Sequence, residues 1–141
     1  MASKAELARI LDRTSGKCHI CHVRLVLENY GKPSSQGGWE IEHSRPRAKG
    51  GTDHPNNKYA ACILCNRRKA TRTAKSARAQ YGKKRPPLNV KQRQKVLGDR
   101  TLKGAGLGTL AGYLLDPTGG ALTAAGAFLG GIFGRSKDPD E

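Results

Sequence analysis

Trp39-Glu40-Ile41-Glu42-His43, followed by Gly50-Gly51, Asn57 and then Cys62-Ile63-Leu64-Cys65-Asn66-Arg67-Arg68-Lys69, sets acids, an imidazole, amides and thiols in one ordered series. Residues 39–43 alternate apolar and polar, which predicts a half-buried strand with Trp39 and Ile41 inward and Glu40 and Glu42 on the other face. Pro46 limits how far that strand can run. From Leu64 to Tyr81 the pattern is helical, with Asn66, Ala70, Thr73, Ala74, Ala77 and Tyr81 on one face and Arg68, Arg72, Lys75 and Arg78 on the other. Asn66 is thus expected to face inward at the helix start, so that strand, loop, strand and helix enclose one cation while the basic face stays wet.

A second thiol pair, Cys18-His19-Ile20-Cys21, lies upstream. Cys18, Cys21, Cys62 and Cys65 form two CxxC knuckles, and four thiolates close a tetrahedral zinc shell against water, so this zinc is expected to be structural. His19 and His22 flank the first knuckle and offer nitrogen in place of a sulfur, but four paired cysteines leave no vacancy. His54 reads as a surface residue.

The 141-residue chain is 36% apolar and 5% aromatic, with one Trp and two Phe. That supports one small domain with a thin core, for which a staple is expected. Met1-Ala-Ser-Lys-Ala-Glu6 lacks the charged and apolar regions of a signal peptide. With every cysteine in a CxxC pair, the expectation is a reduced cytoplasmic compartment and bound zinc rather than disulfides.

Net charge is +15, and residues 1–100 hold 23 Lys/Arg against 7 Asp/Glu, while residues 101–141 hold 3 against 4. Such an excess attracts polyanions through counterion release, which makes nucleic acid the leading partner.

Ser3-Lys-Ala-Glu6 has capping-box spacing, and Leu7, Ile10 and Leu11 follow at helical intervals before Gly16. Val23–Leu27 reads as a strand and Gly31–Gly38 as a loop. The Lys83-Lys-Arg-Pro-Pro87 run ends the long helix. The expected organisation is a domain over 1–82 (core 17–73), a basic linker over 83–100, a glycine-rich helical hairpin over 101–135 and an acidic flexible terminus over 136–141. In the hairpin Gly104, Gly108 and Gly112 repeat at four-residue spacing, as do Gly126, Gly130 and Gly134, with a turn at Asp116–Gly120. The fold class is α+β: a ββα core, a four-Cys zinc site, an N-terminal helix and the C-terminal hairpin.

The ordered residues resemble the HNH endonucleases with a ββα-metal core, in particular the zinc-stapled subgroup with CxxC, Glu-Ile-(Asp/Glu)-His, Gly-Gly, Asn and CxxC-(His/Asn)-x3-Lys. The resemblance covers about Lys17 to Thr73. It departs in having Glu42 where Asp is commoner and Asn66 where His is common, an HNN variant. The resemblance implies that His43 is the general base, that Asn57 holds the loop and hydrogen-bonds that base, and that Glu42 and Asn66 ligate a divalent cation, Mg²⁺ or Mn²⁺/Ni²⁺. Physically, an imidazole of unperturbed pKa near 6.5 is mostly neutral at physiological pH and can take a proton from water, and carboxylate and amide oxygens suit a hard cation. The plainer readings are a core histidine and a solvent-facing strand carboxylate. Arg45, Arg47, Lys49, Arg67, Arg68, Lys69 and Arg72 are the candidates for holding the DNA backbone, or else form a solvated basic face.

The function this implies is a metal-dependent endonuclease that nicks or cleaves double-stranded DNA with weak sequence preference. The alternatives are a zinc-stabilised nucleic-acid-binding module without catalysis, and a membrane-active or delivered toxin acting through the tail, with an immunity or accessory partner. The tail resembles glycine-zipper segments of membrane-associated and secreted proteins, which implies self-association or membrane contact through 101–135. Its uncharged stretches are shorter than the roughly 20 apolar residues of a simple span.

Overall fold

A computed structural model describes residues 2–115, 121–136 and 138–140. The chain divides into two compact units, Met1–Val90 and Lys91–Glu141.

The first unit opens with α1 (Lys4–Asp12), where Ser3 Oγ accepts the Glu6 N–H at 3.1 Å, the expected cap. Ile10 is buried from this helix, with Leu7 and Leu11 packed beside it. Gly16, at φ 72°, returns its N–H to the Leu11 carbonyl at 3.0 Å and turns the chain into the first knuckle. The strand expected over Val23–Leu27 does not form. The segment makes a single bridge, Lys17 to Arg24, and a 3₁₀ turn over Leu27–Asn29. Leu25 N–H and Val26 N–H bond the Gly16 and Gly37 carbonyls, so loop backbone satisfies what a neighbouring strand would have.

β1 (Trp39–His43) and β2 (Lys58–Cys62) pair antiparallel, with Trp39 opposite Cys62 and His43 opposite Lys58. Trp39 is fully buried and its indole N–H bonds the Val26 carbonyl at 2.9 Å. Glu42 is fully buried, because its face of β1 is covered by α2 (Ile63–Lys69), which sets aside the plainer reading of a solvent-facing carboxylate.

The single helix expected from Leu64 to Tyr81 is two. α2 stops at Lys69, Ala70 takes φ 48° and ψ −122°, and α3 (Ala74–Ala79) restarts behind Thr73, whose hydroxyl accepts the Ser76 N–H at 3.3 Å. The Ala74 N–H bonds the Ser44 carbonyl at 3.1 Å, tying α3 to the end of β1. The break brings Ala77 and Arg78 inside, so Arg78 is buried rather than on a wet basic face.

The second unit pairs α4 (Val90–Leu115) with α5 (Ala121–Ser136). Helix replaces the second half of the expected linker, since Lys91-Gln-Arg-Gln-Lys-Val-Leu97 are mostly good helix formers. The helices touch at Gly108, where a Cβ would stand 1.8 Å from the Gly126 carbonyl oxygen. Arg93 Nη1 pairs with Asp138 at 3.0 Å and Asp140 at 2.9 Å. The turn expected at Asp116–Gly120 lies outside the described residues. Among the described residues no helix is long and apolar enough to cross a membrane.

Candidate active site

His43 ends β1, with its side chain 19% exposed. It borders a cleft of about 490 Å³ lined also by Tyr30, Ile41, Arg47, Asp53 and Lys58. Its Nε2 lies 2.7 Å from Asp53 Oδ1, and Arg47 Nη2 reaches that same oxygen at 2.5 Å. Hydrogen bonds from Arg47 and then His43 hold the Asp53 carboxyl below the usual carboxylate range.

The loop from Ser44 to Asn57 is shaped by its own polar groups. Asn57 Oδ1 accepts the Arg45 N–H at 2.7 Å, and its Nδ2 donates to the Arg45 carbonyl at 3.0 Å and the Thr52 carbonyl at 2.8 Å. The Asn57 side chain thus spans the loop, and its bonds go to backbone rather than to the His43 ring. Gly50 takes φ 74°, and a Cβ on Gly51 would stand 1.8 Å from the Arg45 carbonyl oxygen, so Gly51 cannot carry a side chain without opening the loop. Arg13 closes the far side: it donates to the Pro55 carbonyl and, at 2.9 Å, to the Lys58 carbonyl, with its guanidinium 4.1 Å over the Tyr59 ring.

On the other face of β1 the two acids differ. Asn66 Nδ2 donates to Glu40 Oε2 at 2.9 Å, with Arg67 near Glu40 Oε1 at 3.5 Å. Glu42 sits one step deeper, 2.9 Å from Lys69 Nζ and 3.0 Å from His19 Nδ1. Lys69 Nζ also donates to the His43 carbonyl at 3.0 Å. Arg78 Nη1 lies 2.8 Å from His19 Nε2, and His19 stacks on Tyr59 with centroids 4.0 Å apart. Burial pushes His19 below the ordinary imidazole range and lowers Arg78. A neutral His19 that donates from Nδ1 to Glu42 and accepts at Nε2 from Arg78 satisfies both contacts.

The structure therefore brings Asn66 to Glu40, not to Glu42. It places Lys69 inside, 3% exposed, away from the solvent position expected of a phosphate-holding residue. Arg45, Arg47, Lys49, Arg67 and Arg68 are exposed, Arg72 is half-buried, and His54 is exposed. Sequence reading missed Asp53, which has no special spacing beyond following Gly50-Gly51, and missed the pairing of His19 with Glu42.

Cys18, Cys21, Cys62 and Cys65 place their sulfurs within 4.8 Å of one another, and Cys21 and Cys62 Sγ are 3.9 Å apart. A tetrahedral zinc at about 2.3 Å from each sulfur separates them by roughly 3.8 Å, so the cluster fits that ion. Backbone N–H groups of Ile20 and Cys62 point at Cys18 Sγ at 3.4 and 3.3 Å, donors suited to a thiolate. Hydrogen bonding to Cys18 and then Cys62 holds Cys21 below the ordinary thiol range, and hydrogen bonding with Cys18 and Cys21 pushes Cys62 and Cys65 up.

An antiparallel strand pair and a helix carrying an imidazole, an amide and carboxylates, stapled by four thiols, define the class: a small ββα domain of nuclease type. The family model described as HNH endonuclease matches residues 18–72, and this part of the chain is an HNH endonuclease domain. The family implies a nucleic-acid substrate and a divalent metal. No curated protein and no solved structure matched the chain.

Proposed function

We propose that the chain is a metal-dependent endonuclease that hydrolyses DNA phosphodiester bonds with weak sequence preference, with His43 as general base. The observation that carries this reading is the His43 imidazole at the rim of an open cleft, 19% exposed and, among the described residues, hydrogen-bonded through one nitrogen. The untied nitrogen is free to take a proton from an attacking water. Asn57 keeps the loop closed around that ring by bonding its backbone.

Asn66 and Glu42 are the proposed ligands of the divalent cation, with Glu40, already bonded to Asn66, as a further oxygen donor. A cation there supplies positive charge for the phosphate and the leaving oxygen. Lys69 must leave Glu42 before that carboxylate can bind it. Arg45, Arg47, Lys49, Arg67 and Arg68, all exposed, hold the phosphate backbone without reading bases. The four cysteines hold structural zinc.

The Lys69–Glu42 ion pair favours a second reading, in which a fixed ammonium replaces the metal and the domain binds nucleic acid without cutting it. Conversion of supercoiled plasmid separates the two, run in chelator and then with Mg²⁺, Mn²⁺ or Ni²⁺ beside His43→Ala. Metal-dependent nicking absent from His43→Ala supports the enzyme. Intact plasmid with every metal, from folded protein that retards DNA on a gel, selects the binding module.

A further inference from the structure

We propose that Asp53 is the positioning residue for His43, holding the ring with its proton on Nε2 so that Nδ1 presents the free lone pair. The inference rests on His43 being the base and adds the group through which it is held.

An ionised carboxylate only accepts hydrogen bonds, so at 2.7 Å the Nε2 of a neutral His43 must donate. That fixes the tautomer, and the remaining lone pair lies on Nδ1. Arg47 shares Oδ1 at 2.5 Å and keeps the acid ionised and in place. Asp53 is 57% exposed, which alone would leave it free to turn. Its backbone is held instead: Asn57 Nδ2 bonds the carbonyl of Thr52, the preceding residue, and Gly51 packs on the Arg45 carbonyl with no room for a side chain. The Gly-Gly turn and the loop asparagine therefore deliver a carboxylate to the imidazole.

The other charged groups around His43 do not compete for its ring. Lys58, its cross-strand neighbour, pairs with Glu6 of α1 at 3.2 Å. Lys69 bonds the His43 backbone carbonyl and Glu42. Among the described residues, Asp53 is the one hydrogen-bond partner of the imidazole.

The test uses the zinc-loaded full chain with Asp53→Ala, Asp53→Asn and Asp53→Glu. The first readout is the His43 tautomer, from ¹⁵N-resolved spectra recorded where the ring is neutral. The wild type should show Nε2–H, and Asp53→Asn, whose amide can turn its NH₂ toward the ring, should populate Nδ1–H. The second is plasmid cleavage at saturating and limiting DNA. Asp53→Ala and Asp53→Asn should lower kcat by about 10²-fold with KM little changed, since general-base catalysis contributes on that order. Asp53→Glu should recover part of the loss.

An unchanged tautomer in both Asp53→Ala and Asp53→Asn overturns the proposal, as does a loss confined to KM, which would make Asp53 a partner of Arg47 alone. Should Asp53→Ala not fold, the near-isosteric Asp53→Asn carries the comparison. If the wild type cuts no DNA, the nuclease reading fails by itself, and the tautomer still decides whether Asp53 sets the ring.

Discussion

Glu42 is a carboxylate with no exposed surface, and two side chains make its burial tolerable. Lys69 supplies the opposite charge at 2.9 Å and His19 a hydrogen bond at 3.0 Å. Removing one partner of a buried pair leaves the other charge uncompensated, which typically costs about 3–5 kcal/mol, whereas replacing both with neutral groups is often close to neutral. Lys69→Met should therefore lower the urea midpoint sharply, and Lys69→Met with Glu42→Gln should recover most of it. A double variant no more stable than Lys69→Met would show that the pair is not the source of the loss. If Glu42 takes the divalent cation, Mg²⁺ should raise the melting temperature of Lys69→Met and leave the double variant unmoved. As candidates, Glu42, His43, Asn57 and Asn66 were legible in the order and spacing of the sequence. Their partners were not. Lys69 reads as one more member of an Arg-Arg-Lys run, and only its depth against β1 separates it from Arg67 and Arg68. Asp53 meets His43 through a loop whose path depends on Gly51 and Asn57 together.

At the scale of elements, the break at Ala70 decides which side chains of the Cys62–Tyr81 segment go inside. No proline or glycine interrupts residues 64–81, so periodicity alone gives one helix. The structure breaks it because α3, capped by Thr73 and pinned by the Ser44 carbonyl, buries Ala74, Ala77 and Arg78 only after a change of direction. Tertiary packing outweighs local propensity here. Ala70 bears the strain, at a positive φ that residues with a Cβ rarely adopt. Ala70→Gly should stabilise the domain by about 1 kcal/mol, read as a higher urea midpoint at unchanged slope. A lower midpoint would mean that the added freedom of glycine in the unfolded chain outweighs the relieved strain. β1, by contrast, was legible to the residue, because a five-residue alternation around the one tryptophan, bounded by Gly37-Gly38 and Pro46, leaves no other register.

For the whole molecule, the question is what holds the first unit together. Its buried apolar set is small: among the described residues Ile10, Ile20, Leu25, Trp39 and Ile63 are the large members, and the rest is alanine and cysteine. A core of that size rarely stabilises a domain without a staple. The four thiols tie the loop before β1 to the junction of β2 and α2, and structural zinc in such a site can contribute on the order of 10 kcal/mol to folding. Trp39 reports on this, being the one tryptophan, fully buried, with its cross-strand partner Cys62 in the thiol cluster. Withdrawing zinc with a strong chelator should shift Trp39 emission to the red in a single cooperative step with metal release. The helical signal of α4 and α5, which belong to the second unit and carry no thiol, should largely remain. Restoring zinc should reverse the shift, while Mg²⁺, a poor match for thiolates, should not. Trp39 emission that stays put while zinc leaves would show that the thin core suffices and that the cysteines serve something other than the fold.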